Sequence, residues 1–188
     1  MWKRGGRKNC SARVLPAGAA LMLLTLAGSA TAQERIAPPH VRGDRAMQRL
    51  IDDAAIRSPA IREWVDRLQE LDVTVYVRAK SFTQHDLDGR VALLSTAGGH
   101  RYLVIELACG RAELVQMATL GHELFHALEI AEEPSVVSAD TLAELYSRIG
   151  IKTGDSGGVR TFETEAAAAA GLRARRQLLT STRQGNGT

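Results

Sequence analysis

Cysteine and aromatic residues are scarce in this chain, and both shortages narrow the kinds of protein it can be. The 188 residues include two cysteines, two tryptophans, three tyrosines and three phenylalanines. Cys10 lies in a segment that we expect to be removed. Cys109 alone cannot form an internal disulfide, which excludes a disulfide-stabilised scaffold. With so few aromatic rings, Leu, Ile, Val and Ala must fill the hydrophobic core.

Long hydrophobic runs are lacking too, and the longest lies near the N-terminus. Residues 15–28 are predominantly apolar, but they are fewer than the ~20 residues that a membrane-spanning helix needs. They follow five basic residues in a stretch without acids and precede Ala30-Thr31-Ala32, a small-x-small cleavage pattern. This order is typical of a secretory signal peptide. We therefore expect removal of residues 1–32 and export to the periplasm or the medium, with a retained membrane anchor as the alternative.

An excess of one charge is also lacking once that segment is removed. The full chain has 24 basic and 21 acidic residues, and five of the basic residues but no acids fall in residues 1–32. Residues 33–188 therefore keep 19 basic and 21 acidic residues, which excludes the basic footprint of a nucleic-acid-binding protein. No later segment is apolar enough to span a membrane. The remaining 156 residues suit a single domain with its own core.

The pattern His-Glu-x-x-His is present at His122, Glu123 and His126. Residues four apart share one face of an α-helix, so both imidazoles can bind one Zn²⁺. Glu123 lies one step round the helix, from where it can reach a water on the metal without being a ligand. The flanking residues are apolar on almost every side, which predicts a buried helix over residues 112–132. Buried histidines need partners, and a metal supplies them, with ordinary hydrogen bonds as the alternative.

The remaining patterns predict an α+β domain over residues 44–180. Three strands joined by short loops favour a small antiparallel sheet that packs against the motif helix and further helices. Residues 33–43 are predicted to be an extended leader, residues 151–160 a flexible loop, and residues 181–188 a disordered tail. The expected strands cover residues 73–77, 90–95 and 100–107, and the other expected helices cover residues 44–57, 58–71, 138–150 and 161–179.

A catalytic zinc usually takes three protein ligands, so a third must come from a loop or from later in the chain. The motif resembles that of the HExxH metallopeptidases (zincins). Residues 163–167 resemble the gluzincin-type arrangement, in which a glutamate on a later helix heads an E-x-x-A-[DN] pattern. The resemblance implies Glu163 as the third zinc ligand. Ala167 departs from the pattern, because an acid or amide at that position would support a histidine ligand.

Other candidates for the site remain open at this stage. Glu165 and Glu129 are alternative third ligands, although Glu129 is better placed for a hydrogen bond to a ligand or to a neighbouring helix. The metzincin form is not matched, because residues 127–134 contain no His or Asp. Hydrolysis also needs a donor for the oxyanion of the transition state, and Tyr146, His100 and Arg101 are the candidates.

These patterns together predict an exported zinc metallopeptidase that acts on a peptide or protein through a metal-activated water. An edge strand over residues 101–107 is a candidate to align an extended peptide by main-chain pairing. The alternatives are a catalytically inactive zinc-binding module and an amidase that acts on cell-wall peptides. Residues 122–133, 145–150 and 162–168 are also similar to a group of secreted bacterial proteins of unassigned function, which implies a shared fold but no substrate.

Overall fold

The computed structural model describes residues 38–83, 87–156 and 159–185. The expected signal peptide and parts of the expected leader and tail lie outside these residues. Residues Ala37–Thr188 form one compact unit of α+β class. Its described elements, in chain order, are β1 (Val41–Gly43), α1 (Arg45–Arg57), α2 (Pro59–Gln69), β2 (Val73–Lys80), β3 (Gly89–Ala97), β4 (His100–Ala108), α3 (Glu113–Ala131), α4 (Ala139–Ile149), β5 (Ile151–Ser156), β6 (Val159–Glu163) and α5 (Glu165–Gly185).

The first two helices begin at the caps that the sequence indicates. The Asp44 carboxylate accepts hydrogen bonds from the main-chain N–H groups of Ala46 and Met47 at the start of α1. The Ser58 hydroxyl accepts one from Ile61 at the start of α2, where proline occupies the first turn. Such caps stabilise a helix by about 1 kcal/mol each because the first N–H groups have no partner within the helix. Both predicted helix starts are confirmed.

The main sheet has four strands in the order β1-β2-β4-β3, so the predicted three-stranded antiparallel sheet is wrong. β1 and β4 both pair with β2 in parallel, and only β3 runs antiparallel to β4. β4 therefore lies inside the sheet, and the expectation of an edge strand over residues 101–107 is also wrong. β3 pairs with the other side of β4 and is an outer strand of the sheet among the described residues.

The burial of β4 explains its inner position. Every residue from Leu103 to Ala108 is buried, whereas β3 is half-buried or exposed along most of its length. A strand that is buried on both faces is stable only between two neighbours. The turn between β3 and β4 contains Gly98 and Gly99 at φ +57° and +85°, a conformation that favours glycine and closes a tight hairpin. The link from β2 to β3 is longer, so β3 can pair on the far side of β4.

The predicted flexible loop over residues 151–160 is instead an antiparallel hairpin of β5 and β6. Its strands lie just before the last helix, which begins at Glu165 rather than near residue 161. That helix continues through Gly185, into the stretch that was predicted as a tail. At the other end of the unit, residues 41–43 of the predicted leader form β1 and pair with β2. Among the described residues, no helix is both long enough and apolar enough to cross a membrane.

Small residues bring α3 and α5 into close contact. A Cβ added at Gly121 would lie 2.8 Å from the Cβ of Ala174 and 3.2 Å from Ile61. A Cβ added at Gly171 would lie 3.1 Å from Nδ1 of His122. Since real Cβ contacts are longer than this, larger residues at either position would separate the helices or displace the imidazole. The alanine-rich sequence of α5 thus serves close packing against α3.

The C-terminus of α3 is bound by a buried arginine on β4. One terminal nitrogen of Arg101 donates to the carbonyls of Ile130 at 2.7 Å and Glu133 at 2.8 Å, and the other donates to Ala131 at 2.6 Å. The last carbonyls of a helix lack partners within the helix, and a cation there also interacts favourably with the helix dipole. Arg101 is therefore a structural cap, and the proposal that it stabilises an oxyanion is not supported by its position.

On the outer face of the sheet, one buried carboxylate holds three cations. Glu106 bonds to Arg78 and Lys80 on β2 and to Arg90 on β3, with 2.8 Å to Lys80 Nζ and 2.6 Å to Arg90 Nε. Burial alone would raise the pKa of Glu106, but hydrogen bonds from the three cations lower that pKa to about 2. The carboxylate is consequently ionised in the folded protein across the ordinary pH range.

This cluster predicts that Glu106→Gln destabilises the protein in a pH-dependent way. Because the folded pKa of Glu106 lies below its ordinary value of 4.5, its contribution is complete above pH 4.5 and is lost as the pH falls toward 2. We expect the wild type to exceed the variant in unfolding free energy by roughly 2 kcal/mol at pH 7 and to match it near pH 2. Urea unfolding at both pH values measures this, and an equal difference at both would contradict the account.

Candidate metal centre

Three side chains from different parts of the chain converge at one point. Nε2 of His122 lies 3.2 Å from one carboxylate oxygen of Glu163, and Nε2 of His126 lies 3.4 Å from the other. One donor atom from each residue lies within 4.8 Å of the others. The two imidazole rings lie on the same face of α3, with centroids 4.8 Å apart, as the four-residue spacing requires. The structure thus brings together the three metal ligands expected from the sequence.

Glu163 reaches this point from a strand and not, as the resemblance implied, from a helix. It is the last residue of β6, directly before α5, and pairs with Ile151 across the hairpin. The preceding Phe162 stacks on the ring of Tyr146, with centroids 5.9 Å apart and an angle of 16° between the planes. The stacking fixes β6 against α4, and through it the position of the Glu163 carboxylate.

Glu129 forms a hydrogen bond to the outer ring nitrogen of His126. Its Oε2 lies 2.7 Å from Nδ1 of His126, the ring nitrogen that faces away from Glu163. Its Oε1 accepts a hydrogen bond of 2.6 Å from the hydroxyl of Thr164. A carboxylate on the outer nitrogen of a metal-ligating histidine fixes the tautomer and the ring orientation. Glu129 is therefore placed to support His126, and the expected hydrogen bond between these two residues is present.

His122 is supported by main chain where the resemblance expected a side chain. The main chain of Ala167 lies near its ring and acts to raise the pKa of that ring. Gly171 on α5 approaches so closely that an added Cβ would lie 3.1 Å from Nδ1 of His122. Alanine at position 167 offers no acid or amide to the ring.

Thr164 links the third ligand to the histidine helix. Its N–H donates to Oε1 of Glu163 at 2.8 Å, and its hydroxyl donates to Glu129. The same hydroxyl accepts a hydrogen bond of 3.0 Å from the N–H of Ala167, which caps the start of α5. One buried threonine therefore fixes the relative positions of β6, α5 and α3 beside the cluster.

Glu123 lies beside the cluster in a buried position. Burial raises the pKa of Glu123 to about 7, and a hydrogen bond from the main chain of Val91 opposes part of that rise. A Cβ at Gly89 would lie 2.5 Å from Thr119 and 3.1 Å from Oε1 of Glu123, so only glycine lets β3 pass this close. A carboxyl group with a pKa near neutrality can both accept and return a proton at working pH.

The two histidines differ in how easily they take a proton. Burial lowers the pKa of His122, the more exposed of the pair. Burial also acts on His126, but the hydrogen bond to Glu129 and the nearby carboxylates outweigh it and raise the pKa of that ring. A metal ion binds the neutral form of both rings, so proton release accompanies binding at His126 in particular.

The other candidate residues lie away from the metal cluster or on the far side of one of its ligands. The hydroxyl of Tyr146 is buried 3.3 Å from Nδ1 of His126, on the side of the ring away from Glu163. Burial raises its pKa well above the ordinary value, so it stays protonated as a donor to its neighbours. His100 contacts the Thr74 hydroxyl at 2.9 Å on the outer face of the sheet. Glu165 is exposed at the start of α5 and is not part of the cluster.

The donor set suits Zn²⁺ in its chemistry. Two imidazole nitrogens and one carboxylate oxygen are ligands that zinc takes in catalytic sites, and the described residues contain one cluster of this kind. Nδ1 of His126 is bonded to Glu129, and Nε2 of both rings faces Glu163. Thr164 and Val91 contribute through a hydroxyl and a main-chain group, and no sequence motif reveals such roles.

Comparisons with known proteins add no family to this description. No family model matches the chain, and no curated protein or solved structure matches it. The zincin resemblance therefore rests on residues of the sequence alone, the motif and Glu163.

Proposed function

We propose that this protein is an exported, zinc-dependent hydrolase of the metallopeptidase type that cleaves peptide bonds. The observation that supports the proposal best is the convergence of His122, His126 and Glu163 beside the buried carboxyl of Glu123. A merely structural zinc site has no use for a further buried acid that is not a ligand. The N-terminal sequence supports the export part of the proposal.

The residues of the site have two roles, metal binding and proton transfer. His122, His126 and Glu163 hold the ion, which when bound makes a water more acidic and polarises a substrate carbonyl. Glu123 takes a proton from the attacking water at its carboxylate and returns it to the leaving amine. Its buried position keeps bulk water from competing for that proton.

The outer edge of β3 is the surface against which a peptide would align. β3 is an outer strand of the sheet, and its start contacts Glu123 through Gly89 and the main chain of Val91. A peptide paired with this edge by main-chain hydrogen bonds would pass beside the cluster. The edge strand that would align a peptide is therefore β3 in place of residues 101–107. Main-chain pairing favours extended peptides over other amides.

The test is hydrolysis of peptides by zinc-loaded protein. Peptides blocked at both ends, including a cell-wall-type peptide, are incubated with the protein before and after removal of the metal with a chelator. We expect cleavage that stops on chelation and returns with added Zn²⁺. Cleavage of the cell-wall-type peptide alone would favour the amidase alternative. Full zinc loading without cleavage of any peptide would favour an inactive zinc-binding module and overturn the proposal.

A further inference from the structure

The outer face of the four-stranded sheet is a separate surface from the metal centre. Val75, Val77 and Leu103 on the inner face belong to the core formed with the helices. The side chains that alternate with them point outward, and Arg78 at the centre of this outer face is 58% exposed. The outward Thr74, Val104 and Glu106 are buried beneath longer side chains, so the cations dominate what this face presents to solvent.

The charge on this face is strongly one-sided. The four strands contain a single acid, Glu106, and four cations on the same side. A fifth cation of these strands, Arg101, turns inward to cap α3. The outer face therefore carries a surplus of three positive charges in a chain whose expected mature form is slightly acidic overall. The four outward cations are Arg42, Arg78, Lys80 and Arg90.

Each of the cations has a bonding partner on this face. The strand register places Arg78 and Arg90 on either side of Glu106, in one row across β2, β4 and β3. Arg42 lies on β1 beside Tyr76, with its guanidinium 5.0 Å from the ring centre and 3.0 Å from the hydroxyl. Prior ordering lowers the entropic cost of binding an anion, and guanidinium groups match phosphate oxygens in geometry.

The aromatic residues of this face indicate which anion fits. The Tyr76 ring is covered by Arg42, and the Phe82 ring lies within 6 Å of Lys80 and Arg90. Single-stranded nucleic acids bind through aromatic faces on which bases stack. Here a cation lies over one face of Tyr76 and of Phe82, and the Tyr102 ring packs edge-on against His100. A sheet face that presents several cations instead suits an array of phosphates.

We propose that the outer face of the sheet, formed around Arg42, Arg78, Lys80 and Arg90, docks the protein on the anionic phospholipid headgroups of a membrane surface. Docking leaves the opposite side of the sheet, with α3 and the metal centre, directed away from the lipid. The inference does not depend on the metal or on catalysis, because it rests on the sheet face alone.

The test is co-sedimentation with vesicles of phosphatidylglycerol and phosphatidylethanolamine, compared with vesicles of phosphatidylethanolamine alone. The protein is measured as the full chain and as a chain beginning at Gln33, since residues 15–28 are apolar and can bind lipid by themselves. We expect the shorter chain to bind only the anionic vesicles and to dissociate as salt rises.

Two variants test the face, and a third controls for net charge. Arg42→Gln combined with Arg78→Gln removes two cations and leaves Lys80 and Arg90 on Glu106. Arg42→Glu alone makes the same change in charge without touching the Glu106 cluster. Weaker binding by this variant therefore cannot come from disruption of that cluster. Each cation near an anionic surface contributes about fivefold to binding, so both variants should bind about 25-fold more weakly. The control changes two exposed arginines of α5 to glutamine, Arg175 and Arg176.

Wild-type binding to anionic vesicles, lost in both sheet variants and kept in the control, would support the proposal. Three results would overturn it: no binding by the chain that begins at Gln33, equal losses in the control, or binding to soluble polyphosphate but not to vesicles. The last result would show that the face recognises a phosphate polymer and not a membrane surface.

Discussion

Glu123→Gln should lower the rate of peptide hydrolysis by a factor of about 10² to 10⁴ while zinc content stays at the wild-type level. An amide has nearly the shape of the carboxylate, so the buried site around it keeps its packing, but it cannot accept the proton of the attacking water. The metal is held by other residues, and the loss should therefore fall on turnover and not on metal binding. Hydrolysis rate and metal content are measured on the same zinc-loaded sample.

Glu113→Gln is the matched control for this change. Glu113 lies in the first turn of the same helix and its side chain is 67% exposed, so its replacement should leave both readings unchanged. A Glu123→Gln protein that hydrolyses peptides within tenfold of the wild-type rate would contradict the role given to this carboxyl. Loss of zinc in that variant would instead show that Glu123 helps to hold the ion.

Glu129→Ala should weaken zinc binding by about 10- to 100-fold although Glu129 is not a ligand. The change removes the carboxylate from Nδ1 of His126 and leaves the hydroxyls of Tyr146 and Thr164 without that acceptor. Partners of this kind orient the ligand ring and raise its basicity, and their loss typically costs that much affinity. Competition against a chelator of known affinity measures the dissociation constant, and the visible spectrum of the cobalt-substituted protein reports the coordination geometry.

Two further variants separate support of the ligand from loss of fold. Glu132→Ala changes an exposed acid three residues along, at the end of the same helix, and should leave the affinity for zinc within twofold of wild type. Glu129→Gln keeps an acceptor for His126 and should recover part of the affinity that alanine loses. A Glu129→Ala protein that binds zinc as tightly as the wild type would contradict the assignment.

The features of the fold and of the site that the sequence predicts are those set by local spacing. The i, i+4 histidines share a face because α-helix geometry leaves no other arrangement, and Ser58 caps α2 because its hydroxyl reaches the third residue on. Glu129 could be predicted as a hydrogen-bond partner for the same reason, since it lies three residues after His126. Such features need nothing from the rest of the chain.

The parts that the sequence does not predict depend on tertiary packing. The order of strands follows from β4 being buried on both faces, and single strands of similar composition do not show which will be central. The hairpin that carries Glu163 consists of short polar strands, without the alternation that marks a strand. Arg101 was a candidate oxyanion donor from the sequence but is a helix cap in the structure. The sequence does not show this role, because its partners are carbonyls that become neighbours only in the fold.

The metal content of the purified protein tests the central claim most directly. Elemental analysis of the wild type, His126→Ala and Glu163→Ala should find about one zinc per chain in the wild type and far less in both variants, because a catalytic zinc is held by three protein ligands. Retention of zinc by Glu163→Ala would show that the third ligand is another residue. A wild-type protein that binds no zinc, even after reconstitution, would mean that the His122 and His126 face is only a buried polar surface, and the hydrolase proposal would fall with it.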